Sequence, residues 1–289
     1  MLGDWLRDPT VWAVPFYALG IVTERRALAR RPAESMRGYD ARDARMSIAA
    51  GATALIAWLP INFVTYWVVG AWLWQARILD VGTGVLGWTV ALIGWDFTFY
   101  WLHRAEHEVR FFWAGHVPHH SSTYYNLSTA LRQPWTPLSG IALTPLVCLL
   151  GVRPEMLFTA GGLNLIYQFW IHTETIDRLP NWIEWIFNTP SHHRVHHGSN
   201  PEYLDKNHGG ALIIWDRLFG TFVPERARVV FGTTKPVPGN DLVTVQLHEW
   251  MALARDVWNA DGWRERVGYL ARYPGWRPES SQRTYASAP

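Results

Sequence analysis

The sequence predicts an all-α fold: an integral membrane helical bundle of about four spans plus a short N-terminal one, with a cytosolic helical cap holding a histidine-rich two-metal site. Three observations predict it. Long apolar runs recur between residues 10 and 171. The chain carries nineteen Trp, eleven Tyr and twelve Phe, and aromatic rings with a polar handle collect where an apolar phase meets water. Its histidines are concentrated in two dense clusters, W-L-H-R-A-E-H-E-V-R-F-F-W-A-G-H-V-P-H-H and T-P-S-H-H-R-V-H-H-G, separated by apolar chain. A mean hydropathy of −0.06 argues against a bundle buried in lipid all round and fits a half-embedded protein with a polar cap. The net charge of +2 gives no reason to expect a nucleic-acid partner, and the single Cys148 excludes an internal disulfide and a cysteine-based zinc site. We read residues 1–289 as one membrane-embedded domain.

Within the first part, residues 1–102, the start M-L-G-D-W-L-R-D-P lacks the pattern of a cleavable signal, so targeting is expected to come from the spans. Thr10 to Val22 is apolar but short for a crossing, which takes about 20 residues. The loop E-R-R-A-L-A-R-R that follows, continuing through Arg37, Arg42 and Arg45, is expected in the cytoplasm by the positive-inside rule. Met46 to Trp74 reads as a long span kinked at Pro60, and Val85 to Leu102 as its return. On that return Asp96, Tyr100, His103 and His107 fall at steps of four, three and four, one helical stripe running from the membrane into the first cluster.

Residues 103–136 hold the first histidine cluster. Pro118 suits the first turn of a helix, so His116 is placed just before a helix that begins there. Residues 137–172 read as a membrane hairpin, Pro137 to Leu150 and Pro154 to Ile171, tilted or partly re-entrant, which returns His172 and Glu174 to the same side as His103. In the cap, residues 173–273, Ser191 is the expected N-cap and Gly198 the stop of a two-turn helix carrying the second cluster. A cap helix is expected between Asp241 and Tyr273, and a disordered tail over residues 274–289.

The clusters carry the chemistry. Imidazole is the commonest nitrogen ligand of transition metals, and helical residues i and i+4 share a face. His103, His107, His116, His119, His120, His172, His193, His196 and His197 exceed what one ion of four to six ligands can use, so two neighbouring ions are expected. A doublet with a third histidine three residues earlier can send ligands to both. His192 is a tenth ligand or a hydrogen-bond donor. Asp96, Glu106, Glu108, Glu174 and Asp205 are candidates to fix imidazole tautomers, with a hydrogen-bonded structural role as the alternative for Asp96. Tyr100, Tyr124, Tyr125 and Asn126 are candidate pocket residues, with loop packing as the plainer reading of the last three. His208 and His248 read as structural or surface histidines. Affinity order alone favours copper or zinc, whereas a membrane-embedded two-metal site suits dioxygen chemistry on a lipid C–H bond.

The order H-x-x-x-H, H-x-x-H-H and a second H-x-x-H-H, interrupted by a helical hairpin, resembles the sterol desaturase and fatty acid hydroxylase superfamily of membrane di-iron oxygenases. The strings H-H-S-S-T-Y-Y-N-L-S-T-A-L-R-Q, Q-F-W-I-H-T-E, N-T-P-S-H-H-R-V-H-H-G and D-K-N-H-G-G-A-L-I-I-W-D-R-L-F-G-T-F, between Trp95 and Val237, are similar to the alkylglycerol monooxygenase branch of that superfamily. The resemblance implies two Fe ions, O2, a lipid substrate taken from the bilayer, and tetrahydrobiopterin or another electron donor. It implies hydroxylation of the carbon next to the ether oxygen of an alkylglycerol. The chain departs from that branch at His208, where the branch has Tyr.

Other readings stand beside this one. Desaturation or hydroxylation of a sterol or acyl lipid uses the same metal site. H-R-A-E-H has the form of an inverted zinc-protease motif, with Glu106 as base, but leaves seven histidines unexplained. A histidine-rich metal transporter would need a polar path through the spans, for which Asn62 and Asp96 are nearly the only residues.

Overall fold

A computed structural model describes residues 9–30 and 38–279; residues 1–8, residues 31–37, which include Arg37 of the arginine-rich stretch, and the tail from residue 280 lie outside the described part. Its regular elements are all helical, with two isolated β-bridges, Phe187 to Leu212 and Gly198 to Phe231, and no strand among the described residues. Helix α1, Pro9–Leu28, runs six residues past the expected end at Val22, so the first half of the arginine-rich stretch is helix rather than loop. Helix α2, Ala41–Gln75, starts at Asp40, whose carboxylate accepts the amides of Arg42 and Asp43 and satisfies donors that a helix start leaves open. Pro60 does not end it. The helix continues through a π-helical stretch, Phe63–Gly70.

Helix α3, Val85–Glu108, is one continuous rod, and Asp96, Tyr100, His103 and His107 all lie on its buried side. Helices α2 and α3 are long and apolar enough to cross a membrane. A core helix of a soluble protein passes the same test but is mostly buried, whereas the apolar stretches here are only 17% and 39% buried by the rest of the chain. Exposed Ile56, Leu59, Phe63, Leu92 and Ile93 form the outward faces that lipid would cover.

Helix α4, Arg110–His120, begins six residues before His116, and Pro118 sits in its last turn rather than its first. The proline is tolerated because the missing amide costs one bond at a helix already ending at Ser121. Helix α5, Gly140–Leu150, is short and changes to 3-10 geometry at Thr144; at about 1.5 Å per residue it spans roughly half of a hydrocarbon core. Gly151 turns the chain with φ 88°, and a Cβ there would lie 2.5 Å from the Leu79 carbonyl oxygen. Helix α6, Pro154–Ile171, then packs against α3 and α1. Tyr66, Ala91, Trp95, Cys148, Leu157 and Ala160 form the core of this half.

The cap contains α7, Asn181–Ile186; α8, Pro190–His196; α9, Ile214–Phe219; α10, Leu242–Trp258; and α11, Trp263–Ala271. Thr189, not Ser191, stands at the N-cap of α8, because Pro190 takes the first helical position. The expected single cap helix is broken between Trp258 and Trp263 into α10 and α11, which clamp α4 through Ala114, Leu253 and Tyr269. The first residues of the expected disordered tail are packed: the Trp276 ring lies 5.3 Å from Tyr269, and Arg277 bonds Asp256 at 3.0 Å.

Candidate metal centre

The nine clustered histidines are gathered from α3, α4, the end of α6 and α8 into two buried groups. His103, His107, His116, His120 and His196 form one, and His119, His172, His193 and His197 the other, with ligand atoms inside each group within 4.8 Å of one another. Both doublets split, because neighbouring residues on a helix point about 100° apart. His119 goes to one group and His120 to the other; His197 and His196 do likewise.

Backbone acceptors set the tautomers. His103 Nδ1 lies 2.9 Å from the His208 carbonyl, His119 Nδ1 3.2 Å from Arg132, His172 Nδ1 2.7 Å from Gln168, and His196 Nδ1 3.1 Å from Lys206. A carbonyl only accepts, so each ring carries its proton on Nδ1 and presents the Nε2 lone pair. Those Nε2 atoms crowd: His103 to His116 is 3.1 Å, His116 to His120 3.1 Å, His172 to His119 3.3 Å and His193 to His172 3.0 Å. With metal–nitrogen bonds of roughly 2.1 Å, neighbouring ligand atoms sit about 3.0 Å apart in an octahedron and about 3.4 Å in a tetrahedron. The spacing fits metal coordination. The Nε2 atoms of His107, His196 and His197 are buried without a hydrogen-bond partner, which a bound ion would supply. Burial first, then the neighbouring imidazoles, holds His119, His120, His193, His196 and His197 well below the ordinary histidine pKa, in the neutral state that ligates.

The carboxylate candidates separate. Glu106 Oε2 lies 3.0 Å from His116 Nδ1 while Ser139 Oγ donates to the other oxygen, so Glu106 orients a clustered ring. Asp205 Oδ1 is 3.7 Å from His107 Nδ1. Asp96 touches no clustered histidine: it accepts from the Ala211 and Leu212 amides, Trp215 Nε1 and Asn164 Nδ2, fastening the loop whose His208 carbonyl holds His103. Glu108 pairs with Arg104 on the surface, 44% exposed, and Glu174 is half-buried near Tyr125. His192 belongs to neither group; its Nε2 lies 3.1 Å from Glu184 Oε2.

Glu184 escaped the sequence reading. Burial pushes its carboxyl up, but hydrogen bonds from His192, Ser191 and the Leu179 amide outweigh that and bring it to about 2. It thereby ties α7 to the start of α8. Asn207, φ 57°, and Asp205, φ 55°, hold the left-handed turn that presents the Lys206 carbonyl to His196; Asn and Asp tolerate that region better than other side chains.

A cavity of about 490 Å³ reaches the groups from α1 and α2, within the range of small-ligand sites. Its far walls include Val14, Tyr17, Leu55 and Trp58, and its inner end meets His103, Glu106, His116, His119 and His172, members of both groups. None of Tyr100, Tyr124, Tyr125 and Asn126 lines it. Tyr100 bonds Thr221 and stacks on Phe219; Tyr125 donates to the Ile171 carbonyl and stacks on Phe231; Asn126 braces Gly38 and Ser128. Tyr100 is thus held on α3 and Asn126 within its loop, while the Tyr125 ring also lies 5.7 Å from His172 and 5.2 Å from His197, beside the four-histidine group.

The described residues thus combine helical architecture, two helices long and apolar enough to cross a membrane, and two buried histidine groups that could each hold a metal ion. Residues 88–221 match the family model of the fatty acid hydroxylases. The chain is 46% identical over 193 residues to alkylglycerol monooxygenase of Homo sapiens and 45% identical over 193 residues to that of Xenopus tropicalis, in each case 66% of this chain and 43% of the relative. It is 31% identical over 140 residues to the ornithine lipid hydroxylase OlsE of Rhizobium tropici, covering 48% of this chain and 41% of that one. The chain thus spans less than half the length of these relatives. No solved structure matches it.

Proposed function

We propose that this chain is a membrane di-iron oxygenase that hydroxylates a lipid C–H bond with O2, acting on the carbon next to the ether oxygen of an alkylglycerol-type lipid. The observation that carries the reading is the apolar cavity whose inner end touches both histidine groups. His103, His107, His116, His120 and His196 would hold one iron and His119, His172, His193 and His197 the other. When bound, such a pair supplies activation of dioxygen for attack on carbon. The protein's own part is to desolvate and aim the substrate. Tyr17, Leu55 and Trp58 give an alkyl chain an apolar wall, at about 0.8 kcal/mol per buried CH2, and leave its polar end toward Glu106 and Ser139. The hemiacetal formed by hydroxylation next to the ether oxygen collapses to a fatty aldehyde and a glycerol derivative. The reductant is tetrahydrobiopterin or another electron donor.

The arginines at the end of α1, Arg25 and Arg26, support a cytoplasmic position for the metal groups. The zinc-protease reading is weakened because Glu106 is engaged by His116 and Ser139, and the transporter reading because Asp96 is saturated by four donors. The test is metal analysis of the detergent-purified chain, coupled to turnover of a 1-O-alkylglycerol with and without oxygen and with and without reduced pterin. Two irons and oxygen-dependent aldehyde release are expected. Two irons with product only from sterols or acyl lipids would replace the substrate, and one zinc with no oxygen uptake would sink the reading.

A further inference from the structure

We propose that His208 is a further imidazole ligand of the ion held by the five-histidine group; the inference rests on the two-metal reading above. His208 is fully buried. Its ring centroid lies 5.2 Å from His107, 5.8 Å from His196 and 5.9 Å from His103, three of the five members. Neighbouring members of that group are themselves 4.3 Å (His103 to His196) to 5.3 Å (His103 to His107) apart, so His208 flanks the group at a spacing that begins where theirs ends.

Its polar atoms need an explanation. Among the described residues His208 is the only histidine with both ring nitrogens buried and without a hydrogen-bond partner. The Asp205 backbone lies beside the ring without reaching hydrogen-bond geometry. His103, His119, His172 and His196 differ in having Nδ1 held by a carbonyl. A histidine buried only for packing would still need a partner for the nitrogen that carries its proton, and an aliphatic side chain would fill the space without that cost. A metal ion would supply the partner for the unprotonated ring nitrogen, as it would for the Nε2 atoms of His107 and His196 next to it, while the Asp205 backbone stands beside the ring as the nearest acceptor for the other.

The backbone supports the assignment. The His208 amide donates to Asp216 Oδ1 at 2.7 Å and its carbonyl accepts from His103 Nδ1 at 2.9 Å, so its Cα is pinned against the group while the ring has only the Asp205 backbone beside it. A small rotation of the side chain, with no backbone movement, changes how closely a ring nitrogen approaches the His103, His107 and His196 edge. His208 therefore stands at the margin of the five-histidine group, and its contribution would be to retention of the metal.

The experiment uses the whole chain in detergent, loaded with cobalt(II), comparing the native protein with His208→Ala and His208→Gln. Metal retained after timed exposure to a chelator, the visible absorption of the cobalt-loaded protein, and thermal unfolding of the metal-free protein are read together. In both variants one of the two ions is expected to leave about 10-fold faster, the other at the native rate, with an altered cobalt spectrum. Native release and an unchanged spectrum in both variants would overturn the proposal, including where the metal-free protein is destabilised, since that marks packing alone. A native chain that binds no cobalt would overturn this inference and the two-metal reading together, whereas two ions bound equally by native and variant chains would overturn this inference only.

Discussion

Glu106 Oε2 lies 3.0 Å from His116 Nδ1, at the inner end of the cavity, and this one carboxylate links the cavity to the five-histidine group. Glu106→Gln keeps the shape but removes the charge that makes the imidazole a better donor to a metal. Metal affinity of that group is expected to fall about 10- to 100-fold, read by chelator competition. Native affinity would show that the pair only packs.

His196→Ala removes the one ligand that the cap contributes to the five-histidine group. Loss of one ion and of turnover is expected, with membrane insertion intact by vesicle flotation. Full turnover would refute the ligand assignment.

Asp96→Ala leaves the Ala211 and Leu212 amides, Trp215 Nε1 and Asn164 Nδ2 without their acceptor. An orphaned buried donor costs about 1–3 kcal/mol, and four are left here. Destabilisation by several kcal/mol is expected in the metal-free protein by thermal unfolding, with Asp96→Asn milder. A change below about 1 kcal/mol would mean that the loop is fastened elsewhere.

Gly140 lines the cavity, and a Cβ added there meets nothing within 4 Å. Gly140→Phe is therefore expected to fill substrate space without disturbing the backbone. KM for a long-chain lipid should rise roughly 10-fold while both ions are retained. An unchanged KM across chain lengths would place the substrate elsewhere.

The pH dependence follows from the neutral histidines. His119, His120, His193, His196 and His197 are held below the ordinary value of 6.5, so the unfolded chain binds more protons than the folded one once pH falls below it. Stability is thus fully present above about 6.5 and declines with acid, each histidine adding up to about 1.4 kcal/mol per pH unit. Glu184, brought from 4.5 to about 2, loses its stabilising effect only in that lower window. Unfolding of the metal-free protein should show acid destabilisation beginning near pH 6.5, above the window in which Glu184 titrates. A flat profile down to pH 5 would contradict neutral, buried rings.

The sequence by itself determined the clustered histidines and the elements that bear them. Imidazole is recognisable as a residue type, and the i, i+3 and i+4 spacings place such rings on helical faces whatever the surroundings. The apolar runs that became α2, α3 and α6 were legible for the same reason, since burial in lipid or core is a property of composition. Only the tertiary structure decided how the nine rings divide, because His196 joins the first cluster's group and His119 the second cluster's, and that depends on how α8 docks against α4. It alone decided what orients them. The acceptors of His103, His119, His172 and His196 are main-chain carbonyls, which every residue possesses, so no side-chain pattern could announce them. Glu184 and His208 were hidden for a related reason: a lone Glu or His has no periodicity to betray its surroundings, and His208 lies far along the chain from His103 and His107.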